Sequence, residues 1–328
     1  MIAVDGPYFE ELRVGQVFDD APSITLTSGA AAVHQSVVGN RLRLSLDTEL
    51  WRRVSGDAAE RPLAPPALVW DTAIGQSTLA TRQVTANLFY RGLAFGRAPR
   101  LGDTLRTRTE VVGLKQNTRR PDRPATGLAA LRITTVDDLE RPVLDFARCA
   151  MLPMRNADLE TGHRDDLASV AGGHPVAVDA AVEGWDLAAF RSSVGGVHFR
   201  DLSIGDGWEI AAGDVVSSAP ELARLTLNLA AVHHDGPASP AGRLVYGGHT
   251  IGIALAQVTR ALPNLVTVVG WESCDHLGPV REGDTLYSTV EVESVEPRAA
   301  GGGLVGLRSR VRSGSEPVLD WRFLAVLA

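Results

Sequence analysis

The chain has 328 residues, of which 45% are hydrophobic and 22% charged, and carries a formal net charge of −7. That length exceeds one average domain and suits two units of about 150 residues, with composition ordinary for a globular protein. The acidic balance argues against nucleic acid as a partner. Two distant cysteines, Cys149 and Cys274, exclude a disulfide framework and a zinc knuckle. No apolar run reaches the ~18 residues of a membrane span, and the first residues lack a signal-peptide layout. The expected location is the cytoplasm.

In chain order, the first segments return later. Residues 8–15 (YFEELRVG) are echoed by 198–205 (HFRDLSIG), and 102–105 (GDTL) by 283–286 (GDTL). Residues 127–132 (GLAALR) match 303–308 (GLVGLR), and 142–146 (PVLDF) match 317–321 (PVLDW). The offsets drift slowly, from 198 − 8 = 190 through 181 and 176 to 317 − 142 = 175. Four echoes in one order mark a tandem duplication. The expected division is a first unit at 1–155, a crossover linker at 156–196 and a second unit at 197–328.

Each copy predicts the same layout. Thr27 or Ser28 caps a helix running to about Val38, and Pro65-Pro66 introduces a second, to about Thr81. In the second copy, Ser218-x-x-Glu221 has capping-box spacing before Leu222, Leu225 and Leu229. A long helix then runs from about Gly248 to Leu262, apolar nearly all round, as a helix enclosed by sheet should be. The strands alternate with period two. Leu105, Thr107, Thr109 and Val111 oppose Arg106, Arg108 and Glu110, and Val305, Leu307, Ser309 and Val311 oppose Arg308, Arg310 and Arg312. A long buried helix wrapped by a curved antiparallel sheet, twice over, is an α+β double hot-dog. The loop at 117–124 carries three arginines and reads as a solvated hairpin connection.

Candidate chemistry is densest between Arg224 and Ala261. Asn228 and His233 stand five apart at a helix end and the following turn, where both side chains can face one small volume. A neutral histidine is a competent base near pH 7, and a carboxamide can hold a water in one orientation. Asp235 could orient the imidazole or cap the next turn. His234 is expected to point elsewhere. Gly247 and Gly248, flanked by Tyr246 and His249, open the long helix, where unpaired N–H groups and the dipole suit a developing oxyanion. In the first copy Asn40 stands for Asn228, but Ser45 stands for His233, so one half is expected to be active and the other silent. Asp275-His276 reads as a loop pair outside the site, and His34 as core or rim. No HxH or HExxH spacing supports a metal, and no GxGxxG or Walker loop supports a nucleotide cofactor.

The run Asn228-x-x-x-x-His233-x-Asp235 followed by Tyr246-Gly247-Gly248-His249 resembles the MaoC-like dehydratases. Within them it is most similar to the double-hot-dog branch of mesaconyl-CoA hydratases, also called β-methylmalyl-CoA dehydratases. Residues 8–15, 101–105 and 113–117 carry the same likeness. The resemblance implies reversible addition of water to a 2-enoyl thioester, of a short branched or dicarboxylic acyl group such as mesaconyl-CoA. Coenzyme A would be part of the substrate rather than a separate cofactor. It implies a catalytic pair at Asn228 and His233, with Tyr246, Gly247, Gly248, His249 and Asp235 around the substrate. One departure stands out: single-unit members have Asp where this chain has Asn228. The alternatives on the same fold are an acyl-CoA thioesterase and a non-catalytic acyl-thioester binding protein. A homodimer is compatible with all three.

Overall fold

A computed structural model describes residues 5–168, 170, 180–239 and 242–328. The strands are β1 Val17–Phe18, β2 Ile24–Thr25, β3 Ala86–Phe95, β4 Thr104–Gln116, β5 Thr126–Val136 and β6 Pro142–Pro153 in the first copy. In the second they are β7 Gly207–Glu209, β8 Asp214–Val215, β9 Leu265–His276, β10 Thr285–Pro297, β11 Gly303–Ser313 and β12 Glu316–Leu327. The helices are α1 Ser28–Val38, α2 Arg43–Leu46, α3 Thr48–Ser55, α4 Pro66–Gln76, α5 Leu187–Ser193, α6 Ala219–Leu225 and α7 Gly247–Ala261. All the strands join one antiparallel sheet in the order β1-β4-β5-β6-β3-β9-β12-β11-β10-β7, with β2 on β4 and β8 on β10.

The duplication is visible in the hydrogen bonds. At the β3–β9 ladder Tyr90 pairs with Cys274 and Leu93 with Trp271. Adding the GDTL offset of 181 to Tyr90 and Leu93 gives 271 and 274, so the two pairs exchange under a pseudo-twofold axis through this seam. Gln76 in α4 donates from Nε2 to the Leu105 carbonyl at 3.2 Å, and Gln257 in α7 does the same to Leu286 at 2.8 Å. Arg132 grips Asp145 with Nε and Nη2, and Arg308 grips Asp320 the same way. Identical polar joints in both halves fix identical strand registers, because a slipped register would strand these partners.

Every residue of α4 is buried, as is α7 from Gly248 to Thr259. Both helices are therefore sheathed, which explains why α7 shows no polar face. The alternation expected for the strands holds: Leu105, Thr107, Thr109 and Val111 are buried while Arg106 and Arg108 are exposed. Thr27 caps α1, accepting from the Ala30 N–H at 3.0 Å. The capping box expected at 218–221 does not form. Ser218 sits at φ 59°, its side chain makes no cap, and the Glu282 carboxylate takes the Ala219 N–H at 3.2 Å instead. A tertiary partner has replaced the local one.

Of the segment expected to be the crossover linker, residues 169 and 171–179 lie outside the described residues. Its later part forms a 3₁₀ turn, Ala180–Val182, and then α5, capped by Asp186 on the Ala189 N–H at 2.9 Å. Trp185 meets Trp51 edge-on at 5.0 Å, docking this segment on the first copy. No helix among the described residues is long and apolar enough to cross a membrane.

Candidate active site

The helix α6 stops at Leu225, and Leu227 takes a left-handed φ of 60°. Asn228 then turns the chain with its own side chain: Oδ1 accepts the Ala230 N–H at 3.0 Å, a local bond that Asn makes readily. Its twin does likewise, Asn40 Oδ1 accepting from Leu42 at 3.1 Å. The turned loop is fastened to the first copy at a 3₁₀ turn, Ser77–Thr81, that extends α4. The Leu229 N–H donates to Thr78 Oγ1 at 2.9 Å, and the Ala231 N–H to the Arg82 carbonyl at 2.9 Å. The site thus forms only where the two copies meet.

His233 closes the 3₁₀ turn Ala231–His233 and is 8% exposed. Its Nδ1 lies 2.8 Å from the Leu244 carbonyl, and a carbonyl can only accept, so Nδ1 carries the proton. Nε2 is left as the lone-pair nitrogen, with no protein partner among the described residues. Burial lowers the pKa of His233 to about 4, outweighing the Leu244 bond, so the ring is neutral at pH 7. His234 faces the other way and donates from Nε2 to the Asn228 carbonyl.

A cavity of about 290 Å³ opens beside His233. The second copy contributes Asn228, His233, Tyr246, Gly247 and His276 to its wall; the first contributes Ile74, Thr78, Thr81, Asn87, Tyr90 and Arg148. Tyr246 presents its ring to His233, with centroids 6.0 Å apart. Gly247 begins α7 at the cavity, and its N–H has no partner among the described residues. A Cβ there would lie 2.5 Å from His276 Nε2 and 3.4 Å from the Tyr90 hydroxyl, so only glycine lets the helix end approach this wall. Burial lowers the pKa of His276 to about 4 and raises that of Tyr90.

The structure thus brings together Asn228, His233, Tyr246 and Gly247 and leaves three sequence candidates outside the lining. Asp235 is exposed, and the carbonyl of Leu244, rather than this carboxylate, orients the imidazole. Gly248 is turned inward, where a Cβ would meet Asp71 Oδ1 at 2.1 Å and the Tyr246 hydroxyl at 2.3 Å. His249 is wholly buried one step further along α7, and neither ring nitrogen has a hydrogen-bond partner among the described residues. Burial and the nearby His34 lower its pKa to about 4. His34 itself is core, paired with Asp71 at 2.9 Å. His276, expected outside the site, ends β9 in the cavity wall, while its neighbour Asp275 pairs with Arg91 at 2.5 Å. Tyr90 and Arg148 were not foreseen. Among the described residues no cluster of three His, Cys, Asp or Glu side chains could hold a metal ion.

The equivalent place in the other half is closed. Leu63, Ala64, Pro66, Phe95 and Pro99 stand 181 residues before Leu244, Val245, Gly247, His276 and Val280, and they surround a cavity of only about 10 Å³. The polar residues of the open wall have aromatic counterparts in the other copy, of which Phe95 lines the closed space. Trp271 replaces Tyr90 and Phe95 replaces His276 at the offset of 181, while Phe323 replaces Arg148 at 175. Trp70, Trp271 and Trp321 pack edge-on with centroids 5.0 to 6.2 Å apart, and Phe323 stacks on Trp321 at 3.9 Å. Ala181 of the intervening segment also lines this closed space. The half expected to be silent is filled by core side chains at this place.

No family model matches the chain. The chain is 29% identical over 300 residues to the β-methylmalyl-CoA dehydratase of Chloroflexus aurantiacus, covering 88% of this chain and 82% of that protein. To the mesaconyl-CoA hydratase of Cereibacter sphaeroides it is 28% identical over 321 residues, covering 95% and 91%. Among solved structures, RV0216 of Mycobacterium tuberculosis, described as a conserved hypothetical protein with a double hotdog fold, superposes with a TM-score of 0.92. It is 57% identical, and the match covers 100% of both chains.

Proposed function

We propose that the chain is a MaoC-like dehydratase in double-hot-dog form and that it adds water reversibly to a 2-enoyl-CoA thioester, a reading supported by its likeness to two curated hydratases of CoA thioesters and by its double hotdog fold. The observation that carries the reading is the pairing of one open cavity, holding a neutral histidine and a carboxamide at a helix N-terminus, with a twin cavity that is closed. Coenzyme A enters as part of the substrate, and no separate cofactor takes part.

Asn228 spends Oδ1 on the Ala230 N–H, which leaves its Nδ2 to donate to a water oxygen. In the silent twin the same nitrogen donates to Ser45 Oγ at 3.2 Å, the residue standing where His233 stands, so the carboxamide is aimed at that position. His233 Nε2 takes a proton from the held water as its oxygen bonds to C3. The π pair of the C2–C3 bond moves toward C1, and the thioester oxygen gathers charge at the Gly247 N–H, where the helix dipole is favourable. The imidazolium, disfavoured by its burial, returns the proton to C2. Dehydration is the reverse path.

The test is the absorbance of the enoyl thioester band as water is added, across short, branched and longer 2-enoyl-CoAs. Loss of the band without free thiol supports hydration. Release of free thiol instead would make the protein a thioesterase, and tight binding of the whole panel with neither change would make it a binding protein.

A further inference from the structure

We propose that Arg148 is the specificity-determining residue of the cavity, and that it selects acyl groups bearing a carboxylate. This rests on the thioester reading above and adds to it the residue that reads the acyl chain.

Arg148 lies in β6, is 3% exposed and lines the cavity. Its partners are all neutral. Nη2 donates to the Ser77 carbonyl at 3.1 Å and to Thr81 Oγ1 at 2.8 Å, Nη1 reaches Asn87 Oδ1 at 3.4 Å, and Nε has no partner among the described residues. No Asp or Glu among the described residues pairs with it. Other sheltered arginines show what is usual here: Arg97 holds Asp103 and Asp137, Arg308 holds Asp320, and Arg91 holds Asp275. A guanidinium taken out of water without a counter-charge is costly, and the fold tolerates it in the wall of an open cavity. The titratable groups whose charge Arg148 would feel, Tyr90 and Cys149, supply no anion, since burial keeps both the phenol and the thiol protonated. At the equivalent position of the other copy stands the apolar Phe323, stacked on Trp321. The charge is present only where a ligand has room.

The position also sets a length. Thr81 holds Arg148 and Thr78 holds the loop at Leu229, next to Asn228, on one 3₁₀ turn. Residues three apart on such a turn eclipse at about 6 Å. A carboxylate on Arg148 therefore sits only a few bonds from the carbon that water attacks, which fits a short acyl group with its carboxylate on C3 or C4. Planar guanidinium and carboxylate match as a two-point pair.

Calorimetric titration with two unreactive thioesters, succinyl-CoA and butyryl-CoA, measures the selection without turnover. The wild-type protein is expected to bind succinyl-CoA at least ~30-fold more tightly. In Arg148→Gln that ratio falls to near one, and Arg148→Lys recovers part of it. A structural role alone would weaken both ligands together and leave the ratio unchanged, which overturns the proposal. Equal wild-type affinity for the two thioesters overturns it whether or not a variant folds. If the ratio behaves as expected while no 2-enoyl-CoA is hydrated, the anion subsite stands and the hydratase reading falls.

Discussion

His233 gives its Nδ1 proton to the carbonyl of Leu244, 2.8 Å away, and this one bond decides which nitrogen can act as a base. The acceptor is backbone, so the tautomer does not depend on any titrating partner. His233→Ala is expected to lower kcat by about a hundredfold to ten-thousandfold, the usual worth of a positioned acid-base group, with the circular dichroism unchanged. His234→Ala should cost less, about tenfold, because it frees the Asn228 carbonyl without touching the cavity. Equal losses in the two variants would mean that the base has been misassigned.

Three imidazoles, of His233, His249 and His276, have pKa values lowered by burial to about 4. In the unfolded chain each returns to about 6.5. Between those values the unfolded state binds more protons, so stability falls as the pH drops from about 6.5 toward 4 and is flat in these groups above it. The depressed carboxyls of Asp103, Asp137 and Asp320 act in a lower window, their contribution being lost below about pH 4. Thermal midpoints measured from pH 8 to pH 4.5 should fall only below about 6.5. His249→Phe should flatten part of that slope; a parallel curve would exclude His249 as a contributor.

The duplication, the sheathed helices and the meeting of Asn228 and His233 at one cavity were legible because each is written locally, as an echo, a period or a short spacing. Arg148 and His276 were not, since each reaches the cavity on a strand whose partner loop lies far away in sequence. A signal did exist. Laying one copy on the other at the observed offsets sets Tyr90, His276 and Arg148 against Trp271, Phe95 and Phe323. A polar set opposed by an aromatic set marks which cavity is open. His249 misled for a different reason: adjacency to Gly248 says nothing of direction, and a helix turns each residue by a hundred degrees.

Gly247 and Gly248 should respond differently to alanine. At Gly247 the new methyl enters the cavity wall at 2.5 Å from His276 Nε2, so kcat/KM should fall at least tenfold with a small change in thermal midpoint. At Gly248 it would be driven into Asp71 and Tyr246, both buried, and overpacking of that kind costs about 1–3 kcal/mol or more. Denaturant unfolding of both variants separates the two effects. If Gly247→Ala were the less stable one, the helix entrance would be structural.

The filled half should be a stability element. Trp321 is fully buried against Trp70, Trp271 and Phe323. Trp321→Ala is expected to cost about 3–5 kcal/mol in chemical unfolding. The KM of the folded fraction should stay within about twofold, because Trp321 does not line the open cavity. A large rise in KM would show that the closed half also shapes the substrate site.

Asn228→Asp puts a carboxylate where the resemblance to the MaoC-like dehydratases expects one, and the geometry fixes what it should do. One carboxylate oxygen can keep the Ala230 N–H, as Oδ1 does now at 3.0 Å, so the loop should hold its shape. The other would place negative charge where a donor stood, beside the cavity that His233 lines. A nearby anion favours the imidazolium, so the His233 pKa should climb from about 4 toward neutrality. The acid limb of the kcat/KM profile should therefore move up by about one unit or more, with the basic side unchanged. Asn228→Ala supplies the contrast: it removes both the turn-forming acceptor and the water donor, and should lower kcat without moving the limb upward. An Asp variant whose profile overlays that of the wild type would place residue 228 out of electrostatic reach of the imidazole, and the shared water would go with it.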